Sequence, residues 1–259
     1  MINNNPIGLF DSGIGGTSIW SAIHSLMPNE NSIYLADSKN APYGQKSKSE
    51  IIALCEKNTE LLLELNCKII VVACNTATTN AIKELRAKYN VPFIGIEPAI
   101  KPAANNSKTQ TIGILATAGT LNSELFNKNL EQYQQTKIIE QIGHNLVSLI
   151  ENGQINSKET FKLLKEYLEP MIEQNIDFLV LGCSHYPYLI PQIKNILPKH
   201  IRIIDSGEAV ALQTKSILSR NIGFSSNKKK VNNIFYSNSD TTVLKAILNN
   251  KSKVEFRDF

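Results

Sequence analysis

No run of about 18 consecutive apolar residues occurs in this chain of 259, so the sequence offers no membrane-spanning helix. The opening residues, MINNNPIGLF, lack the basic segment and following apolar stretch of a secretory signal. The expected location is therefore cytoplasmic, with no membrane partner. Cysteine is scarce and is confined to Cys55, Cys67, Cys74 and Cys183. No CxxC pair occurs and Cys183 stands alone, so neither a zinc site nor a disulfide framework fits, and no metal is expected. Cytosolic thiols stay reduced, which leaves each cysteine as core filler or as chemistry. Charge of one sign is also lacking: 27 basic and 23 acidic residues leave a net +4, and the excess is scattered. The one dense run, Lys228 to Lys230 beside Ser225, Ser226 and Asn227, reads as a solvated loop. No aromatic residues interleave with it, so no specific nucleic-acid partner is expected.

What is present is a rhythm. At roughly 150 residues per domain, the length allows one large domain or two small ones. Short apolar runs recur at 7–10, 32–36, 69–73, 93–96, 111–116, 137–142, 178–182 and 201–205. They are continuous rather than alternating, as strands covered on both faces are. Helix-like stretches lie between them, for example at 50–65, 78–89, 123–134, 157–174 and 188–197. This βαβα order predicts an α/β fold with parallel sheets and helices on both faces. The polar stretch 102–109 reads as a crossover between halves, 223–233 reads as a surface loop, and the extreme C-terminus reads weakly. The halves echo one another. Asp11-Ser12-Gly13 matches Asp205-Ser206-Gly207, and Val72-Ala73-Cys74-Asn75-Thr76 matches Leu181-Gly182-Cys183-Ser184-His185.

In open α/β sheets, active residues sit beyond the carboxyl ends of the strands. Asp11, Asp37, Cys74, Thr117, Cys183 and Asp205 all fall there. Cys74 and Cys183 each follow a strand and precede a helix-like stretch, where the positive end of a helix favours a thiolate. Two cysteines in equivalent settings outweigh the usual fate of a free cysteine as a small buried hydrophobe. Cys55 and Cys67 lack that context and are assigned to packing. The turn Asp11–Gly16 is glycine-rich. It is neither a dinucleotide fingerprint, since Ser18 occupies the third glycine position, nor a P-loop. It could present N–H groups to a carboxylate, or it could need glycine for backbone reasons alone. Asn75 and Thr76 cap the following helix, bind a ligand, or both. His185, two residues after Cys183, suits a proton partner. Ala41-Pro42-Tyr43-Gly44 is a turn signal. His24, His144 and His200 receive no role.

Taken together, these motifs resemble the glutamate racemases of the aspartate/glutamate racemase family. The resemblance is carried by GLFDSGIGG (8–16), YLADSKNAPYG (34–44), VVACNTAT (71–78), GILATAGT (113–120), LGCSHYPYL (181–189) and IDSGEAVA (204–211). It covers roughly residues 7 to 211. It implies two similar doubly wound α/β domains with mainly parallel sheets and the active site in the cleft between them. The first would hold residues 1–97 plus 207–259, and the second residues 98–206. The resemblance places catalytic roles at Cys74, Cys183, Asp11, His185 and Glu151. Glu151 lies in the loosely matching stretch Leu149–Gly153. Substrate contacts carry over to Asp11, Ser12, Tyr43, Gly44, Asn75, Thr76, Ser184 and His185, with Asp37, Thr117 and Thr120 in second rank. Ser184 stands where the family usually has Thr, which keeps the hydroxyl and loses a methyl.

The implied reaction is cofactor-independent interconversion of L- and D-glutamate, with D-glutamate supplied to peptidoglycan synthesis. One group cannot easily serve both faces of the α-carbon, whereas two facing thiols can. A free thiol titrates near about 8.5, so a modest depression would give a usable thiolate. No lysine has a recognisable pyridoxal context, so no cofactor is expected. Backbone N–H groups near Ser12, Asn75 and Ser184 are candidates for holding the carboxylate. The alternative enzyme is an aspartate racemase or a related two-cysteine racemase. A different class is regulation by contact with DNA gyrase, which some glutamate racemases restrain; the mild positive charge permits it. The N-terminal extension linked to precursor activation in some members is not expected, because the first motif begins at Gly8. A homodimer is the expected assembly.

Overall fold

A computed structural model describes residues 2–226 and 231–259. The run Lys228–Lys230 lies outside the described residues. Ten strands form two wholly parallel sheets among the described residues. The strands are β1 (Ile7–Asp11), β2 (Ser32–Ala36), β3 (Ile69–Val72), β4 (Phe93–Gly95), β5 (Thr111–Ala116), β6 (Lys137–Ile142), β7 (Phe178–Gly182), β8 (Arg202–Ile204), β9 (Asn233–Ser237) and β10 (Lys253–Phe256). One sheet runs β10-β9-β2-β1-β3-β4 and the other β6-β5-β7-β8. Each sheet starts in its middle, sends its second strand to one side and its third to the other. The direction therefore reverses between β1 and β3 in one sheet and between β5 and β7 in the other, where such folds bind ligands.

The central strands β1, β2, β3, β5 and β7 are buried throughout. Their apolar runs split by parity onto two faces. Leu9, Tyr34 and Val71 join a core shared with Leu115, Leu179 and Leu181 of the other sheet. Phe10, Leu35 and Val72 pack on the opposite face. Ile112, Ile114 and Val180 face a third cluster. The shared middle core holds the two sheets as neighbours. The edge strands β6, β8 and β10 are more exposed, whereas edge strand β4 stays apolar: β10 is KVEF with Lys253 and Glu255 alternating, which explains its faint sequence signal.

The helices are α1 (Thr17–Leu26), α2 (Lys48–Glu64), α3 (Asn75–Lys88), α4 (Ile100–Asn106), α5 (Ala118–Leu121), α6 (Glu124–Leu130), α7 (Leu146–Glu151), α8 (Lys158–Glu173), α9 (Ile190–Ile196), α10 (Gly207–Ile217) and α11 (Thr242–Ile247). Two differ from expectation. The expected crossover at 102–109 is largely the short helix α4, where Pro102 sits in the first turn and its missing N–H costs nothing. Helix α3 begins three residues earlier than its apolar pattern, because the Cys74 thiol caps it. None of the described helices is long and apolar enough to cross a membrane.

Candidate active site

Cys74 and Cys183 occupy the same topological place, each just past the third strand of its sheet. Cys74 has extended backbone and precedes α3, and its Sγ accepts a hydrogen bond from Ala77 N at 3.4 Å. Its thiol also donates toward Ser12 Oγ at 3.7 Å. The expected depression of this thiol does not hold. Burial pushes Cys74 well above the ordinary thiol range and the Asp11 carboxylate adds to it, against smaller help from Ala77 N–H and Ser12. A helix end cannot offset full desolvation. Cys183 departs in another way. The segment after it, Tyr186–Leu189, winds as a 3₁₀ turn and α9 starts only at Ile190, so Cys183 is not at an α-helix N-terminus. Its neighbour is His185, whose Nδ1 lies 3.9 Å from Sγ.

His185 is buried, and burial alone would lower its pKa. Hydrogen bonds to Cys183 and Glu151, with the charge of Asp11, reverse this and hold it well above the usual imidazole value. Its Nε2 is 2.6 Å from Glu151 Oε1 and 4.0 Å from Asp11 Oδ1. Asp11 ends β1 and is fully buried; burial raises its pKa to about 6, against the stabilising charge of His185 and the Ser184 hydrogen bond. Ser184 Oγ donates to Asp11 Oδ2 at 2.8 Å, so the retained hydroxyl reaches across from one sheet to the other.

The loosely matching Glu151, at the end of α7, sits at the centre of this group. Its Oε1 accepts from Ile14 N at 2.7 Å and its Oε2 from Ser38 Oγ at 2.9 Å. The glycine-rich turn thus does receive a carboxylate, and that carboxylate belongs to the protein. None of its glycines has positive φ. They are needed for close approach: a Cβ on Gly13 would lie 2.0 Å from Glu151 Oε1, and one on Gly15 would lie 2.2 Å from His185 Nδ1.

Ser12, Tyr43, Gly44, Asn75, Thr76, Thr117, Ser184 and His185 line one cavity with both cysteines; Pro42 and Val147 complete it. It is narrow, with ≈ 10 Å³ open to the centre of a water molecule, about room for one. A shallower space bounded by Gly44, Thr117, Val147 and Asn145 adjoins it. Asn75 does not cap α3. Its side-chain nitrogen and oxygen are both buried without a partner, a state that costs about 1–3 kcal/mol per group. The hydroxyl of Thr76 meets those of Thr117 at 2.8 Å and Thr120 at 3.3 Å across the two halves. Thr120 stands behind the cavity and does not line it. Asp37 is engaged by Tyr43, Asn40 and Asn238, at 2.5, 2.7 and 2.5 Å. Asp205 lies away from the cavity. It follows β8, the counterpart of β4 rather than β1, and accepts from Gly207 N at 2.8 Å. The cysteine echo is therefore topological and the Asp-Ser-Gly echo is not. Cys55 and Cys67 are buried in packing, as expected.

Sequence reasoning missed Ser38, Val147 and the seam that joins the halves. Thr17 and Tyr188 share a hydrogen bond at 2.5 Å, and Ser18 donates to Ser184 O at 2.9 Å. Ser38 was within reach, since it adjoins Asp37 in a quoted motif. Val147 carries no signal that sets it apart from core valines.

The model of the Asp/Glu/hydantoin racemase family matches residues 17–214. A glutamate racemase of Ralstonia pickettii is 42% identical over 94% of this chain and 86% of its own length. A glutamate racemase isoform of Bacillus anthracis has the same fold at TM-score 0.88 with 29% identity, each chain covered to 98%. That of Escherichia coli, solved with L-glutamate and the activator UDP-MurNAc-Ala, superposes at 0.87 with 31% identity and 98% coverage of each chain. With two sheets, a pair of strand-end thiols and these relatives, the chain belongs to the Asp/Glu/hydantoin racemase family, among the glutamate racemases.

Proposed function

We propose that this chain interconverts L- and D-glutamate without a cofactor, using Cys74 and Cys183 as acid and base on opposite faces of the α-carbon. The observation that carries this reading is that both thiols, from equivalent strand ends of two facing sheets, line one cavity. The cavity lies between a first domain of residues 1–97 and 207–259 and a second of 98–206. One cysteine, as thiolate, takes the α-proton while the other, as thiol, delivers a proton to the opposite face. The reverse reaction exchanges their roles. Cys183 takes the proton from L-glutamate and Cys74 from D-glutamate.

An α-proton is weakly acidic, so the carbanion-like state needs fixed dipoles and exclusion of water. The unpartnered Asn75 amide and the backbone N–H groups of Asn75 and Thr76 at the start of α3 suit a substrate carboxylate. Tyr43, Gly44, Thr76, Thr117 and Ser184 line the remaining wall. Asp11 and the Glu151–His185 pair hold or pass protons beside Cys74 and Cys183. A space for one water is too small for glutamate, so the halves part to admit it and close on it. The unpaired thiols suit a reducing cytoplasm, where D-glutamate feeds peptidoglycan synthesis.

The test is polarimetry on purified protein with L-glutamate and L-aspartate in separate reactions. Loss of rotation with glutamate and at least about 100-fold slower loss with aspartate is expected. Faster turnover of aspartate would replace the substrate, and no turnover of either would remove the reading.

A further inference from the structure

The Glu151 carboxylate is held by more than its imidazole partner. Ile14 N and Ser38 Oγ, which belong to the six-stranded half, grip it from one side, while Glu151 and His185 belong to the other half. Ser38 follows Asp37 past the end of β2 and begins a 3₁₀ turn. Its side chain lines no part of the thiol cavity. Among the described residues, its hydroxyl makes one hydrogen bond, and that is to Glu151 Oε2. Ser38 is half-buried, so removing its oxygen opens no hole in the core.

We propose that Ser38 is a positioning residue for the racemisation reaction, which fixes the Glu151 carboxylate against His185 when the two halves close and so completes the proton partner of Cys183. The two contacts on Oε1 leave the carboxylate free to pivot about that oxygen. The Ser38 bond to Oε2 removes the pivot and aligns Oε1 with Nε2. Closure and assembly of the Cys183 arm thereby become one event. This inference rests on the two-thiol reading above. His185 faces Cys183 on its own segment, Asp11 at the end of β1 and Glu151 on α7. Loosening Glu151 therefore withdraws part of what keeps the imidazole protonated.

The experiment compares Ser38→Ala and Ser38→Thr in the full chain by steady-state kinetics in both directions and by NMR titration of the His185 ring. The two enantiomers have equal free energies, so kcat/KM must change by the same factor in each direction. Ser38→Ala should lower kcat about tenfold, the worth of one hydrogen bond to a charged group, with KM within about twofold. The His185 titration should move to lower pH. Ser38→Thr, which keeps the hydroxyl, should restore both. Wild-type kcat and an unmoved His185 titration in Ser38→Ala would overturn the proposal, as would a threonine variant as impaired as the alanine one. Cys183→Ala is assayed alongside. If it retains turnover, the two-thiol reading fails; if it is inactive while Ser38→Ala is unimpaired, only the present inference fails.

Discussion

The two half-sites share a topology and differ in electrostatics. Each thiol follows the third strand of a parallel sheet whose order reverses beside it. Cys74 faces the Asp11 carboxylate and the Ser12 hydroxyl, and both burial and Asp11 favour its protonated form. Cys183 faces an imidazole whose pKa is held well above the usual value, against burial, by hydrogen bonds to Cys183 itself and to Glu151 and by the charge of Asp11. The frame is thus duplicated while the surroundings of the two thiols are unequal: topology sets where each thiol stands, and the residues that cross the seam give each its own neighbours.

The two thiols are the most sensitive positions in the site. Cys74→Ala and Cys183→Ala should each reduce racemisation by at least about 10³-fold, the scale of a lost acid–base group. A surviving variant would mean that one half-site suffices. Gly15→Ala acts on one side only. Its new Cβ would collide with the His185 ring, so kcat should fall about 10²-fold from misplacement alone, with Cys74 untouched. Asp11 sharpens the contrast through pH. Its carboxyl, raised to about 6, is protonated below that value and ionised above it. If the ionised form serves the reaction, kcat/KM should rise through an acid limb near pH 6, and Asp11→Asn should abolish that limb; a limb unchanged in the variant would assign it elsewhere. The smallest effect belongs to Cys55, a buried thiol with no counterpart in the second half. Cys55→Ala should leave kcat within about twofold and cost about 1 kcal/mol of stability, read as a lower thermal midpoint.

Most of this frame was legible in the sequence, because doubly covered strands write themselves as continuous apolar runs. Strands β5, β6 and β7 fall at their expected limits, and both thiols fall at strand ends. What was not legible depends on contacts between distant residues. The helix cap by Cys74 was missed because a thiol is an unusual cap, so the capping role was read onto Asn75 and Thr76 after it. The suppressed acidity of that thiol follows from burial beside Asp11, which no local pattern records. Glu151 had only a loose motif match, since its place depends on approach to Gly13 and to the N–H of Ile14, 138 and 137 residues earlier in the chain. The Asp205 echo misled for the converse reason: three matching letters stood on strands that are not counterparts.

Two separate monoprotic groups on the two faces of one carbon would leave an isotopic record, read by running the reaction in D₂O and following the α-hydrogen of substrate and product at early times. A thiol that abstracts the substrate's proton can return only that proton, while the facing thiol delivers solvent deuterium. With two thiols at work, newly formed D-glutamate should carry deuterium while recovered L-glutamate keeps protium, and the converse should hold when the reaction starts from D-glutamate. Deuterium appearing equally in recovered substrate and product, or in neither, would rule the two-thiol scheme out.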